Sequence, residues 1–211
     1  MNKSQLQNHN CDGLKIIAVL SMVIDHIGAV FFPHLIIFRI IGRLAFPIFA
    51  FQLAQGARFT SNSKMYSLRL LGFAWLSQIP YMLLWDTTTL NILFLLHLSF
   101  LWIKIGFRYI GLFALVMCLI DVDYGFYGIL FGPLFYWLAN RKHIVFLLLS
   151  IATICFSWYT GAWIQLFAIV GIGLVLYVHQ GWWKIQINKY FFYWFYPVHL
   201  LIILILTKLG L

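Results

Sequence analysis

The stretch LSMVIDHIGAVFFP, residues 20–33, places an aspartate and a histidine, Asp25 and His26, side by side within an apolar run. This run extends from Leu14 to Phe32, and a helix of that length can cross the hydrocarbon core of a bilayer. Ionisable side chains at such a depth are costly, and they generally mark a functional site. The stretch therefore predicts a membrane-spanning helix that carries part of a site. We expect the helix to be retained, because no small-residue cleavage pattern of a signal peptide follows it.

The chain as a whole has the composition of a membrane protein. Of its 211 residues, 64% are hydrophobic and 9% are charged, whereas a soluble domain carries about a quarter charged residues. Apolar runs predict helices at 14–32, 38–57, 66–85, 90–104, 108–121, 124–140, 143–158, 162–180 and 190–208. The fourth, fifth and seventh of these are short, so about eight or ten spans remain possible. The predicted fold is all-α, a polytopic membrane helix bundle of about nine transmembrane helices that forms a single integral-membrane domain over residues 1–211.

Charged residues alternate between the two sides of this predicted bundle. We take residues 1–13 as a polar cytoplasmic tail, which makes the N-terminus cytoplasmic. The inner side then receives Lys3, Lys15, Arg58, Lys64, Arg69, Lys104, Arg108, Arg141, Lys142, Lys184 and Lys189, and the outer side receives Asp86, Asp121 and Asp123. This is the positive-inside asymmetry, so we expect the C-terminus outside. The net charge of +9 then reflects orientation and attraction to anionic lipid, and it requires no nucleic-acid partner.

Helical spacing places Asp25 on a face of small and polar side chains. This face comprises Ala18, Ser21, Met22, Asp25 and Ala29, and the second helix has a matching stripe of Arg39, Arg43, Pro47, Ala50 and Ala54. Helical rise puts Arg43 within one or two turns of Asp25, a difference in depth that the side chains can bridge. Pro47 is expected to free the carbonyl of Arg43 and to bend this helix. The sequence GIG at residues 171–173 predicts close helix packing.

Three histidines are predicted at about the same depth as Asp25. His26 lies roughly 15 Å from the inner face, near the midplane, and His97 and His199 fall in the middle third of their helices. A histidine exchanges protons at physiological pH, and a nearby aspartate raises its basicity. One interpretation is a reaction chamber. The other is an Asp25–Arg43 bridge that fixes two helices, with His26 hydrogen-bonded beside it.

Several segments resemble a known family. They are LKIIAVLSMVIDHIG (14–28), RIIGRLAFPIFAFQLAQG (39–56), NILF (91–94), DYGFYGIL (123–130) and YPVHL (196–200). Together they are similar to the TraX family of conjugal-transfer membrane proteins, whose best-known activity is N-terminal acetylation of F-type pilin. The residues of this chain that match the pattern of the family are Asp25, His26, Gly42, Arg43, Pro47, Asn91, Asp123, Tyr124, Gly125, Tyr196 and His199. More distantly, Lys15 and His26 have the spacing of a basic residue and a histidine in integral-membrane acyltransferases that O-acetylate sugars.

The resemblance implies a membrane-embedded acyltransferase of the bacterial inner membrane. It would transfer acetyl from cytosolic acetyl-CoA to the N-terminal amine of a pilin-like protein or another envelope acceptor. His26 would be the general base, Asp25 would orient it, and Arg43 would stabilise developing negative charge or hold Asp25. The expected substrate-binding residues are Lys15, Arg39, Asn91, His97, Tyr196 and His199, and the residues expected to meet the phosphates of acetyl-CoA are Arg58, Lys64, Arg69 and Arg108. The sequence does not rank His26 against His199 as the base.

Other functions remain open. An O-acyltransferase acting on an envelope glycan would use the same residues. A proton-coupled transporter would also place Asp and His near the midplane, but such folds commonly show internal repeats, and the sequence shows none. A non-catalytic pilus assembly factor would need no reacting group. A metal site is not expected, because the chain has no glutamate and no pair of ligands at metal-binding spacing.

Overall fold

The computed structural model describes residues 12–178 and 189–210, and helices form almost all of them. The helices are α1 Asp12–Phe31, α2 Ile36–Gly42, α3 Ala45–Phe59, α4 Ser63–Trp85, α5 Ile92–Ile105, α6 Ile110–Leu119, α7 Gly125–Ile129, α8 Phe131–Trp137, α9 Lys142–Thr160, α10 Ala168–Gly173 and α11 Lys189–Lys208. Short 3-10 segments cover Phe107–Tyr109 and Trp163–Phe167, and a π-helical turn covers Leu174–Val178. These residues form no β-strand, and an isolated parallel bridge joins Leu90 to Val122. Most of the predicted N-terminal tail, with Lys3, and also Lys184 lie outside the described residues.

Long apolar helices make this chain a membrane protein. In the described ranges, the segments with the length and hydropathy to cross a bilayer are Gly13–Phe31, Ile36–Phe59, Lys142–Thr160 and Tyr190–Lys208. Their outward side chains are apolar, as expected for surfaces in contact with lipid tails, and exposed Leu20, Leu147 and Leu201 are examples. The predicted helical fold class is thus confirmed. The number of nine spans and the orientation stay predictions, because the apolar helices Ile92–Ile105, Phe107–Leu119 and Trp163–Tyr177 are shorter.

Three predicted helices are interrupted. The helix expected over 38–57 breaks at Arg43 and Leu44, whose N–H groups bond three residues back instead of four. Pro47 therefore does not bend a continuous helix, because it lies in the first turn of α3, where its missing N–H would have no helical partner. The helix expected over 124–140 is split into α7 and α8. The helix expected over 162–180 is replaced by the 3-10 segment, α10 and the π-helical turn.

The chain divides into two compact units. The first unit contains Met1–Gln52 and Leu138–Asn188, and the second contains Leu53–Trp137 and Lys189–Leu211. In the first unit, α1 packs on α2, and both α2 and α9 pack on the Trp163–Phe167 segment. In the second unit, α4 packs on α5 and α11, and α5 packs on α7 and α8. The prediction of one integral-membrane domain stays a prediction.

Candidate functional site

The predicted polar face of α1 is buried within the first unit. Ala18, Ser21, Met22 and Asp25 are buried and Ala29 is half-buried, whereas Leu20, on the other side of the helix, is exposed. Because side chains recur on one helix face every three to four residues, this burial confirms the face predicted from spacing. Asp25 therefore faces protein and not lipid.

Two arginines hold the carboxylate of Asp25. Arg43 Nη2 donates to both carboxylate oxygens at 2.8 Å, which is the ion pair that one of the two interpretations predicted. Arg39 Nη1 lies 3.0 Å from Oδ2 of the same carboxylate and 3.4 Å from the backbone carbonyl of Asp25. We call Asp25, Arg39 and Arg43 the ion-pair cluster. Since charge-assisted hydrogen bonds are the strongest of those between side chains, the cluster ties α1 firmly to the break between α2 and α3.

The remaining donors of Arg43 are engaged as well. Its Nε donates to the carbonyl of Arg39 at 3.2 Å, and its Nη1 donates to Oε1 of Gln165 at 3.1 Å. Gln165 is buried on the Trp163–Phe167 segment, 122 residues from Arg43. The sequence-based prediction missed it. The available signal was a single amide in the otherwise apolar run from Ala162 to Gly173, since intramembrane amides commonly bond to a neighbouring helix.

Two glycines allow the backbones to approach at this site. A Cβ at Gly42 would overlap the carboxyl group of Asp25. A Cβ at Gly171 would lie 3.2 Å from the backbone of Leu44 and 3.3 Å from the ring of Pro47. The predicted close packing at residues 171–173 is thus confirmed, and it occurs where the helix over 38–57 is broken.

The substitution Gly42→Ala is expected to lower the free energy of unfolding by about 1–3 kcal/mol, because the new methyl group displaces the Asp25 carboxylate. The matched control is Gly72→Ala on α4, where a Cβ meets no atom within 4 Å among the described residues. A helical Gly→Ala change without a clash is expected to be neutral or to stabilise by about 0.5–1 kcal/mol. Unfolding of both purified variants in detergent measures the difference. Equal stability of Gly42→Ala and wild type would contradict the close approach.

His26 and Lys15 complete the predicted residues of the first unit. His26 follows Asp25 on α1 and is half-buried. Lys15 lies on the same helix, ten residues before Asp25, which is about 15 Å along the axis. The structure thus places His26 directly after Asp25 along α1, and Lys15 towards the other end of that helix.

Asn91 joins helices in the second unit. Its Nδ2 donates to the carbonyl of Ala74 at 2.9 Å and to Oε1 of Gln78 at 2.8 Å, and its Oδ1 caps α5 by accepting the N–H of Leu93. The side chain is fully buried. This geometry gives Asn91 a role in helix capping and packing. Its predicted contact with substrate stays a prediction and would require these bonds to break.

His97 and His199, with Tyr196, also belong to the second unit. His199 Nδ1 donates to the carbonyl of Phe195 at 2.9 Å, because a carbonyl can only accept, and this leaves the lone pair of a neutral ring on Nε2. Its ring stacks on Phe195 at 5.0 Å and contacts Tyr196 at 5.4 Å. The His97 ring interacts electrostatically with the backbone at Ser67, and its Nδ1 is buried without a hydrogen-bond partner in the described part of the chain. A common chamber with His26 stays a prediction.

The DYG segment lies near Tyr196 in the second unit. Asp123 and Tyr124 interact electrostatically with the Tyr196 side chain, as does Tyr81 from α4. Tyr124 has a left-handed backbone conformation, with φ of 61°, and Gly125 follows with φ of 48°. A bulky residue in that region is strained, and such strain concentrates at functional sites. The family residues of this segment and of α11 are therefore brought together by the fold.

The predicted acetyl-CoA residues all belong to the second unit. Arg58 is exposed at the end of α3 and donates to the carbonyl of Tyr136 at 2.8 Å, while Lys104 donates to the carbonyl of Ala57 at 2.7 Å. These bonds show that α3, α5 and α8 end close together. Lys64 and Arg108 are exposed, whereas Arg69 is half-buried on α4. The Nε of Arg69 is buried without a hydrogen-bond partner among the residues described, and the Tyr193 hydroxyl interacts with its guanidinium.

Acidic residues occupy the connections at the opposite ends of α4 and α5. Asp121 accepts a hydrogen bond from Thr89 at 2.7 Å, and its backbone carbonyl accepts the N–H of Leu90. Asp86 and Asp123 lie in the same two connections. In the second unit the basic residues Arg58, Lys64, Lys104 and Arg108 thus lie at the helix ends opposite to these aspartates, whereas Lys208 ends α11. Which side of the membrane each end faces stays a prediction. Within residues 12–178 and 189–210, no group of three or more His, Cys, Asp or Glu side chains is placed to hold a metal ion.

Comparisons with known proteins identify the family. The TraX protein family profile matches residues 10–207. The probable fimbrial assembly protein FimC, serogroup H1, of Dichelobacter nodosus is 28% identical over 228 aligned positions, which cover 89% of this chain and 91% of that protein. The uncharacterized protein RP591 of Rickettsia prowazekii (strain Madrid E) is 52% identical over 50 residues, and this match covers 24% of the chain but 18% of that relative's length. No solved structure matches the chain significantly. Because the profile extends over nearly the whole sequence, the chain belongs to the TraX family.

Proposed function

We propose that this protein is a membrane-embedded acyltransferase that moves an acetyl group from cytosolic acetyl-CoA to the N-terminal amine of a pilin-like protein. Membership of the TraX family supports this function, and so does the name of the Dichelobacter relative, a probable fimbrial assembly protein. The observation that carries the proposal is the ion-pair cluster, which holds Asp25 on the buried face of α1 directly before His26 in the chain. We place the protein in the bacterial inner membrane as a multi-pass protein with a cytoplasmic N-terminus.

The chemistry requires one base and a leaving thiolate. The neutral α-amine of the acceptor attacks the thioester carbonyl carbon, and His26 takes the proton that the nitrogen loses. A carbon–nitrogen bond forms, the carbon–sulfur bond breaks, and the CoA thiolate leaves with the proton that His26 returns. An α-amine has a reference pKa near 8, so a histidine is a sufficient base for it. His199 is the alternative base, because its Nε2 carries the lone pair when the ring is neutral.

The contacts of Arg43 favour a positioning role over direct contact with the reacting carbonyl. Its Nε, Nη1 and Nη2 donate to Arg39, Gln165 and Asp25 respectively. These bonds hold the Asp25 carboxylate in one place on α1, and His26 is the next residue on that helix. The cluster therefore fixes the level and rotation of α1 at His26. Gln165 takes part as a further positioning residue.

The acyl donor is assigned to the basic end of the second unit. Arg58, Lys64 and Arg108 are exposed there, and guanidinium and ammonium groups are the usual partners of phosphates. Arg69 adds a buried Nε without a hydrogen-bond partner in the described ranges. These side chains would hold the phosphates of CoA. This assignment needs no metal ion.

The test is acceptor-dependent release of CoA in isolated membranes. Membranes with and without the protein receive acetyl-CoA and a peptide with a pilin-like N-terminus, and a thiol reagent follows the free CoA. Release that requires both the protein and a free α-amine is the expected result, and an N-acetylated peptide of the same sequence is the control acceptor. If neither the peptide nor whole membrane lysate supports release, and the protein does not bind CoA, the acyltransferase proposal fails. The name of the Dichelobacter relative then favours a non-catalytic assembly role.

A further inference from the structure

The ion-pair cluster carries more positive than negative charge. Arg39 and Arg43 are both positive, and Asp25 is their common partner. Among the residues whose side chains the structure describes, Asp25 is the one acidic residue of the first unit. An uncompensated charge inside a membrane protein is costly, so this excess of positive charge favours the binding of an anion.

The two arginines differ in what they offer to a ligand. The Arg43 side chain is 10% exposed, and all three of its nitrogens donate to protein atoms. The Arg39 side chain is 33% exposed, and only its Nη1 contacts Asp25. Its Nε and Nη2 make no hydrogen bond to the described part of the chain. These two nitrogens form one edge of the guanidinium, and that edge can hold two oxygens of a carboxylate or phosphate through parallel hydrogen bonds.

We propose that the Nε–Nη2 edge of Arg39 is a docking site for an oxyanion, either a carboxylate or a phosphate group. Asp25 holds the guanidinium from the Nη1 side, so the edge is oriented before the ligand arrives. The bound group restores the charge balance of the cluster. It comes from a substrate or from a lipid headgroup, since both present such oxygens to a half-exposed arginine on a membrane helix. The inference rests on the proposed function only where it names a substrate as one source of the oxyanion. Its test measures binding and requires no acyl transfer.

The test follows thermal unfolding of the purified full chain in a neutral detergent. Sodium acetate, sodium phosphate and dihexanoyl phosphatidylglycerol are titrated separately, each against sodium chloride at equal ionic strength. The wild-type protein is expected to show a saturable rise in Tm with at least one of them. Arg39→Gln should weaken the apparent affinity about tenfold or more, because a charge-assisted pair of hydrogen bonds is lost. Arg141→Gln, which removes an exposed arginine at the start of α9, is the matched control and should behave as wild type.

The three separate titrations identify the source of the oxyanion. A rise with acetate or phosphate supports a soluble substrate group, and a rise confined to phosphatidylglycerol supports a lipid headgroup. If Arg39→Gln fails to fold, Arg39→Lys keeps the charge but loses the two-nitrogen edge, and it should still bind more weakly than wild type. No saturable rise in the wild type, or an equal rise in wild type and the Arg39 variants, overturns the proposal. Because no acetyl-CoA is present, absence of acyl transfer would leave this result intact.

Discussion

Replacement of His26 by alanine is expected to lower the rate of acceptor-dependent CoA release by about 100- to 10,000-fold, the usual contribution of a positioned general base. His26 is half-buried on α1 and lies outside the bonds that hold Asp25 between Arg39 and Arg43. The variant keeps these bonds and is therefore expected to fold. Initial rates in membranes at matched expression measure the effect. A loss of rate with an intact fold would place the chemistry at this position.

His34→Ala is the matched control for this variant. His34 is exposed in the turn between α1 and α2, in the same unit as His26, and it should keep the wild-type rate. His199→Ala provides the comparison with the alternative base. If His26→Ala retains activity and His199→Ala loses it, the base assignment moves to His199. If both variants keep wild-type rates, neither histidine is the base and the proposed mechanism is wrong.

The parts of the site that follow from local periodicity could be predicted from the sequence. The spacing of Ala18, Ser21, Met22 and Asp25 fixes them on one helix face whatever the neighbours are, and their burial follows from their small or polar character. The Asp25–Arg43 pair was predictable because helical rise determines the depth of each residue in a membrane. A second arginine on Asp25 was not expected. It depends on α2 turning back along α1 closely enough for Gly42 to contact the carboxylate.

The breaks and the distant contacts could not be predicted. Apart from Arg39, Gly42 and Arg43, the run from Ile36 to Phe51 is apolar, and Pro47 predicted only a bend at the carbonyl of Arg43, not a break at which Arg43 and Leu44 leave the helix. The contact of Gln165 with Arg43 joins residues 122 apart, and periodicity carries no information about such pairs. The same limit applies to Asn91 and Gln78, whose amides meet only because α4 and α5 pack together. The division into two units is likewise a property of long-range contacts.

Asp25→Asn is expected to lower the free energy of unfolding by about 3 kcal/mol, because it leaves Arg39 and Arg43 without their shared counter-ion. Breaking a buried ion pair commonly costs about 3–5 kcal/mol, and the lower end applies here because the Asn amide oxygen still accepts a hydrogen bond. Unfolding of the purified variant in mixed detergent micelles measures the change. If the variant has the same free energy of unfolding as the wild type, the cluster does not stabilise the fold, and this prediction is wrong. Acyl transfer should fall as well, since α1 loses the contacts that orient His26.

The double variant Asp25→Asn/Arg43→Met separates stability from activity. It removes the more buried arginine along with the carboxylate, so most of the lost stability should return, because buried ion pairs replaced by apolar groups of similar size are often tolerated. Acyl transfer should remain low if the cluster positions His26 for chemistry. If the double variant regains both stability and acyl transfer, the cluster serves only to join α1 to the break between α2 and α3. In that case Arg43 and Asp25 are structural residues, and His26 is oriented by other contacts.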